Sequence, residues 1–161
     1  MRSAGFVRVT LFGACCIAAL LSACGAKDRS GRFSIALGQV VRAGTATVVD
    51  LASIGAPAWD DLFVFGSTTS REDACAALAL GWLECRTTMP GSLAEDEEFL
   101  VFRVRGRISR AERHSRLNGD FLGGPAPPPQ PILRAASKFR VMPVASSPDG
   151  AKRGFRLAHE G

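Results

Sequence analysis

The run Glu98–Arg105, EFLVFRVR, follows Glu98 with four consecutive apolar side chains, alternates apolar and charged from Phe102 to Arg105, then meets Gly106 and resumes as RISRAER. Alternation with a period of two puts successive side chains on opposite faces of an extended chain, and a glycine between two such runs marks a hairpin. A hairpin alone does not bury enough surface to be stable, so the rest of the chain must supply further strands or a helix to cover it.

Several segments qualify. Leu62–Phe65, within WDDLFVFGS, is a continuous apolar run suited to a strand buried on both faces. Phe33–Val41, FSIALGQVV, places Phe33, Ile35 and Leu37 on one parity and reads as a strand interrupted at Gly38. Thr45–Ile54 is rich in β-branched residues and reads as a second strand before the breaker GAP. Ile132–Val144 and RGFRLAH read as two closing strands around the turn SSPDG. The clearest helix is EDACAALAL, with Thr69 and Glu72 at capping-box spacing and Gly81 as its C-cap. GGPAPPPQP, residues 123–131, cannot enter a sheet interior and reads as a polyproline-like surface loop.

These elements predict an α+β fold, a small antiparallel sheet packed against one short helix. Its core is expected to hold Leu62, Val64, Leu78, Leu100, Phe102 and Val104, together with both Trp and every Phe from Phe33 onward.

The N-terminus belongs to a different regime. Arg2 and Arg8 precede an uncharged run whose core, Val9–Leu21, is 13 residues long. That length suits the apolar region of a signal peptide and falls short of the roughly 17 to 25 residues of a membrane span. The run closes on Leu21-Ser22-Ala23-Cys24. This order resembles the lipobox of bacterial lipoproteins, the alternative being an ordinary secretory signal that happens to be followed by a cysteine.

The resemblance implies that Cys24 is lipidated with diacylglycerol, that cleavage precedes it, and that its new amine is acylated (palmitate being the usual chain). Two or more acyl chains anchor a protein stably where one does not. In that family, inner-membrane retention follows an Asp just after the lipidated Cys. Gly25 stands there and points to the outer membrane.

The expected organisation is therefore a signal peptide at 1–23, the lipidated Cys and a flexible tether at 24–32, and one domain at 33–161. Removing 23 of the 161 residues leaves 138, enough for one domain with a core. The formal charge falls from +5 to +3 as Arg2 and Arg8 leave, and nothing in that balance calls for nucleic acid. Cys75 and Cys85 then remain as an even pair, which export would join as a disulfide; two buried free thiols are the alternative.

Residues 59–121 also resemble small uncharacterised proteobacterial lipoproteins. They share Trp-Asp before a strand, a Thr/Ser turn into a short helix, Leu-Val-Phe, a Gly turn and a closing Asp-Phe. No activity comes with that resemblance.

Motifs for chemistry are sparse. Asp60 and Asp61 adjoin Trp59, but neighbours on an extended chain face opposite ways, so Asp60 reads as a turn or cap residue. His114 and His159 stand 45 apart with no metal-ligand spacing, and no cofactor is implied. The tempting feature is basic: Arg103, Arg105, Arg107, Arg110, Arg113 and Arg116. On a strand, Arg103 and Arg105 would share a face and meet anionic headgroups near the anchor. The other reading pairs them with the acidic run Glu95–Glu98.

The functional expectation is a non-enzymatic, membrane-anchored lipoprotein facing the periplasm, binding an envelope protein or serving a structural role. The alternative is a periplasmic inhibitor or immunity protein acting on a hydrolase.

Overall fold

The computed structural model describes residues 29–55, 58–122, 130–144 and 154–160. The lipobox-like Leu21-Ser22-Ala23-Cys24, most of the expected tether, most of the Pro-rich segment and the SSPDG segment lie outside these residues.

The α+β expectation holds, with more elements than the single sheet and single helix read from the sequence. Three helices are described: α1 (Arg32–Arg42), α2 (Arg71–Ala77) and α3 (Trp82–Thr88). The strands are β1 (Val48–Asp50), β2 (Asp61–Gly66), β3 (Glu97–Val104), β4 (Arg107–Ser115), β5 (Ile132–Leu133), β6 (Lys138–Pro143) and β7 (Phe155–His159). They form a four-stranded sheet in the order β4-β3-β2-β5 and a three-stranded sheet in the order β1-β6-β7. Strand pairing within both sheets is antiparallel.

The four-stranded sheet is buried on both faces, which explains why β2 and β3 read as near-continuous apolar runs. Leu62, Val64, Leu100 and Phe102 face a core shared with α1, Trp59, Phe139 of β6 and Leu157 of β7. Phe63, Phe65, Phe99 and Val101 face a second core with Ala74, Cys75 and Leu78 of α2 and with Met89. Of the six core residues named from sequence, five are buried. Val104, at the end of β3, is only half-buried.

Phe33–Val41 is a helix and not the expected strand. Phe33, Leu37 and Val41 recur every four residues and are buried, while Ile35 and Val40 point outward. Phe33, Leu37 and Val41 satisfy both periods, and only the buried small pair Ser34 and Gly38 and the outward Ile35 distinguish the helical one. A Cβ on Gly38 would overlap the Asn118 side chain, so the absence of a side chain is what lets α1 lie against the turn after β4. Thr45–Ile54 holds only the short strand β1, followed by a 3-10 turn at Leu51–Ser53 whose Ala52 N–H donates to Asp50 Oδ1.

α2 is capped one residue later than expected. Ser70 Oγ accepts from Asp73 N–H at 3.0 Å and donates to Asp73 Oδ2 at 2.7 Å, the same spacing shifted from Thr69 and Glu72. The helix closes at Leu78, not at Gly81, which instead precedes α3 as its N-cap. The disulfide joins Cys75 of α2 to Cys85 of α3. For so short a loop the chain-entropy contribution is about 2 to 3 kcal/mol. This matters locally because α3 has no buried residue of its own.

Candidate functional site

The β3–β4 turn shows how the arginines are distributed. Arg105 and Gly106 both have positive φ, 51° and 72°, as a two-residue hairpin turn requires. Arg105 is therefore a turn residue and does not share a strand face with Arg103. Its N–H donates to Asp60 Oδ2 at 2.6 Å, so Asp60 braces the turn, the kind of role its position suggested. Because asparagine, whose short polar side chain bonds locally, tolerates that φ better than arginine, Arg105→Asn is expected to raise stability by about 0.5 to 1 kcal/mol. Urea unfolding checks this.

The other arginines divide by strand alternation. Arg103 donates to both Asp61 oxygens, at 2.7 and 3.1 Å, and lies 4.6 Å from the centre of the Phe63 ring. Arg113 pairs with Glu97, and Arg110 pairs with Glu112. Arg107 is exposed. The register places Arg110 opposite Phe102 and Arg113 opposite Phe99, on opposite faces of the sheet. One arginine face is thus replaced by a basic edge along β4.

The acidic run divides in the same way. Glu97 is at the surface beside Arg113, while Glu98, opposite His114, is fully buried with it on the α1 side. His114 Nε2–H donates to the Gly119 carbonyl, and the ring lies 5.2 Å from that of Phe121. The Glu98 carboxyl is 3.9 Å from His114 Nε2 and 3.9 Å from Arg116 Nε. Arg116 Nη2 donates to Asp120 Oδ2 at 2.7 Å, which raises the guanidinium above its ordinary value.

Burial pushes the Glu98 carboxyl up to about 8, and the neighbouring Asp120 carboxylate adds to that by charge and by a shared hydrogen bond. Glu98 is therefore held as the neutral acid at pH 7. Asp120 also links the two sheets: its N–H donates to Phe155 O at 2.7 Å, and its carbonyl accepts from Leu157 N–H at 2.8 Å.

A second buried carboxylate caps α1. Gly31, the N-cap, has no side chain to offer, and Glu112 Oε1 accepts from Ser34 N–H at 2.9 Å in its place. A Cβ on Gly31 would overlap the Glu112 side chain. An acceptor on β4 thereby fixes where the helix begins, with charge of the favourable sign. Asn118 completes the group, donating to Ser34 Oγ at 3.0 Å and accepting from Arg42 Nη1 at 2.6 Å.

Chemically, Glu98, His114, Asp120 and Arg116 form a polar group whose acid and imidazole are closed to solvent. His159 lies elsewhere, on β7, bonded to the Ala136 carbonyl. Among the described residues, no group of three or more His, Cys, Asp or Glu is placed to hold a metal ion. A cleft of about 390 Å³ opens beside α2, lined in part by Phe65, Ser67, Arg71, Glu72, Met89 and Ser92.

The exposed apolar feature is on α3, where Trp82 is 71 % and Leu83 68 % exposed, with Arg86 4.9 Å from the centre of the Trp82 ring. Trp82 was expected in the core. Its position on a two-turn helix tied down through Cys85 keeps it outside. Spacing alone revealed neither the buried acid nor this presented indole. The small residues Ser34 and Gly38 were the available sign of a polar contact behind α1.

No protein-family model, curated protein or solved structure matches the chain.

Proposed function

We propose that this protein is a lipid-anchored component of the cell envelope, facing the periplasm, that acts by binding another protein and not by catalysis. The observation that carries this reading is Leu21-Ser22-Ala23-Cys24 at the end of a 13-residue apolar run. The Cys75–Cys85 disulfide supports it, since such bridges persist in oxidising compartments. Gly25 after the anchor favours the outer membrane. The closure of His114 and Glu98 to solvent supports a binding role, because a general acid or base must reach its substrate.

Trp82 and Leu83 are the residues through which the domain meets a partner. Tryptophan is enriched where few side chains carry most of a binding energy, and the disulfide reduces the ordering cost of presenting this one.

Mass spectrometry of the N-terminus, combined with crosslinking in intact envelopes, tests the reading. Cys24 should be the first residue and carry acyl chains. Trp82→Ala with Leu83→Ala should abolish the dominant crosslink while leaving the unfolding temperature within about 1 °C, as expected for exposed positions. An intact Met1 or an unmodified Cys24 thiol rejects the anchor. The same presented indole favours a second reading, an inhibitor of a periplasmic hydrolase. A single hydrolase in the crosslink selects it, whereas envelope-assembly proteins select the first.

A further inference from the structure

We infer that the outer edge of β4, from the Arg105–Gly106 turn to Arg113, is the surface that rests on the bilayer, against anionic phospholipid headgroups. The inference rests on the lipid anchor proposed above and adds an orientation to it.

The position of the tether carries the argument. Gly31 N–H donates to the Arg113 carbonyl at 2.8 Å, so the chain arriving from Cys24 meets the domain at β4. β4 is the outermost strand on its side of the four-stranded sheet. The eight residues Gly25–Arg32 span no more than about 29 Å even when fully extended. From Arg113 back to Arg107 the strand covers about 20 Å, at roughly 3.3 Å per residue, so one bilayer plane is within reach of both.

The charge along this edge matches an anionic surface. Arg29, Arg32, Arg105 and Arg107 are exposed and in no ion pair among the described residues. The carboxylates that face the same edge are already committed. Glu112 binds Arg110 and caps α1, Glu97 binds Arg113, and Asp60 braces the turn. Arg42, Arg86, Lys138 and Arg156 are likewise exposed and in no ion pair among the described residues but lie on other elements, so Arg29, Arg32, Arg105 and Arg107 are the ones that flank the tether or lie along the strand it meets. Arginine on an open edge also discourages strand pairing with a second molecule, so the edge remains available to lipid.

The experiment uses the lipidated protein extracted from membranes and placed in vesicles of phosphatidylglycerol with phosphatidylethanolamine, or of phosphatidylcholine alone. Arginine modification by phenylglyoxal is then followed residue by residue by mass spectrometry. Arg105 and Arg107 should react about fivefold more slowly in the anionic vesicles. Arg86 on α3 and Arg140 on β6 should react equally in both. Arg105→Glu with Arg107→Glu, checked for an unchanged unfolding temperature, should remove the residual protection of Arg29 and Arg32. Equal rates in the two vesicles, or equal slowing at Arg86 and Arg140, would overturn the orientation while leaving the anchor in place. The same spectra report Cys24, and an unlipidated Cys24 would overturn the anchor and the orientation together.

Discussion

Replacing Glu98 by glutamine should flatten the fall of stability as pH rises from about 5 to about 8. In the folded protein Glu98 is held as the neutral acid, its carboxyl raised from 4.5 to about 8 by burial and then by Asp120. An acid with a raised folded-state value binds more protons folded than unfolded between those two pH values. Its contribution is therefore fully present below about pH 4.5 and is lost as pH rises through 8. Fully expressed, the loss is on the order of 5 kcal/mol, a large part of the stability of a domain this size.

Glutamine keeps an acceptor for the Leu122 N–H, which donates to Glu98 Oε1 at 3.3 Å, and offers an amide N–H toward Asp120. Urea midpoints measured from pH 5 to pH 9 should fall steeply for the native protein and remain nearly level for Glu98→Gln. The variant should be the more stable of the two at pH 9. The groups facing Glu98 are His114 of β4, Arg116 and Asp120, and none of them is altered by this substitution. An unchanged slope in the variant would reject Glu98 as its source.

Phe102→Ala should cost about 3 to 5 kcal/mol, the range for removing a fully buried aromatic side chain. The ring meets Phe33 of α1 edge-on, with centroids 5.0 Å apart, and Trp59 at 5.9 Å. Its loss opens a cavity where the first helix, the central sheet and the segment before β2 converge. Chemical denaturation of both proteins at one pH, where the Glu98 proton linkage enters both alike, isolates this packing loss from the carboxyl effect. A loss below about 1 kcal/mol would mean that the site collapses around the alanine.

The two substitutions probe different sources of information. The role of Phe102 was legible in EFLVFRVR, because alternation and apolarity alone place it in a core. Glu98 stands in the same strand, yet in the sequence it is only the last member of the acidic run Glu95–Glu98. Local sequence cannot separate Glu97 from Glu98. One strand step sends Glu97 to Arg113 at the surface and Glu98 beneath the segment that joins the sheets. The misreading of α1 has a similar origin, since Phe33 and Leu37 fit periods of two and of four equally well. The decision between them is made at Gly31 and Gly38, where the absence of a side chain admits Glu112 and Asn118 from residues about 80 positions away. The basic run, likewise, is a composition in the sequence and becomes an edge only when β4 takes the outside of the sheet.

The sequence by itself determined the elements whose signals are local: the hairpin of β3 and β4, the doubly buried β2, the Cys-bearing helix and the α+β class. It also holds Leu21-Ser22-Ala23-Cys24, whose resemblance to a lipobox is read over four residues and needs no folded partner. Only the tertiary structure decided which carboxylate would be buried, where the first helix would begin, that α3 would hold Trp82 outward, and which arginines would remain uncompensated. The physical reason is range. Strand alternation and helix capping act between residues a few positions apart, whereas desolvation, ion pairing and close packing depend on neighbours brought together by the fold.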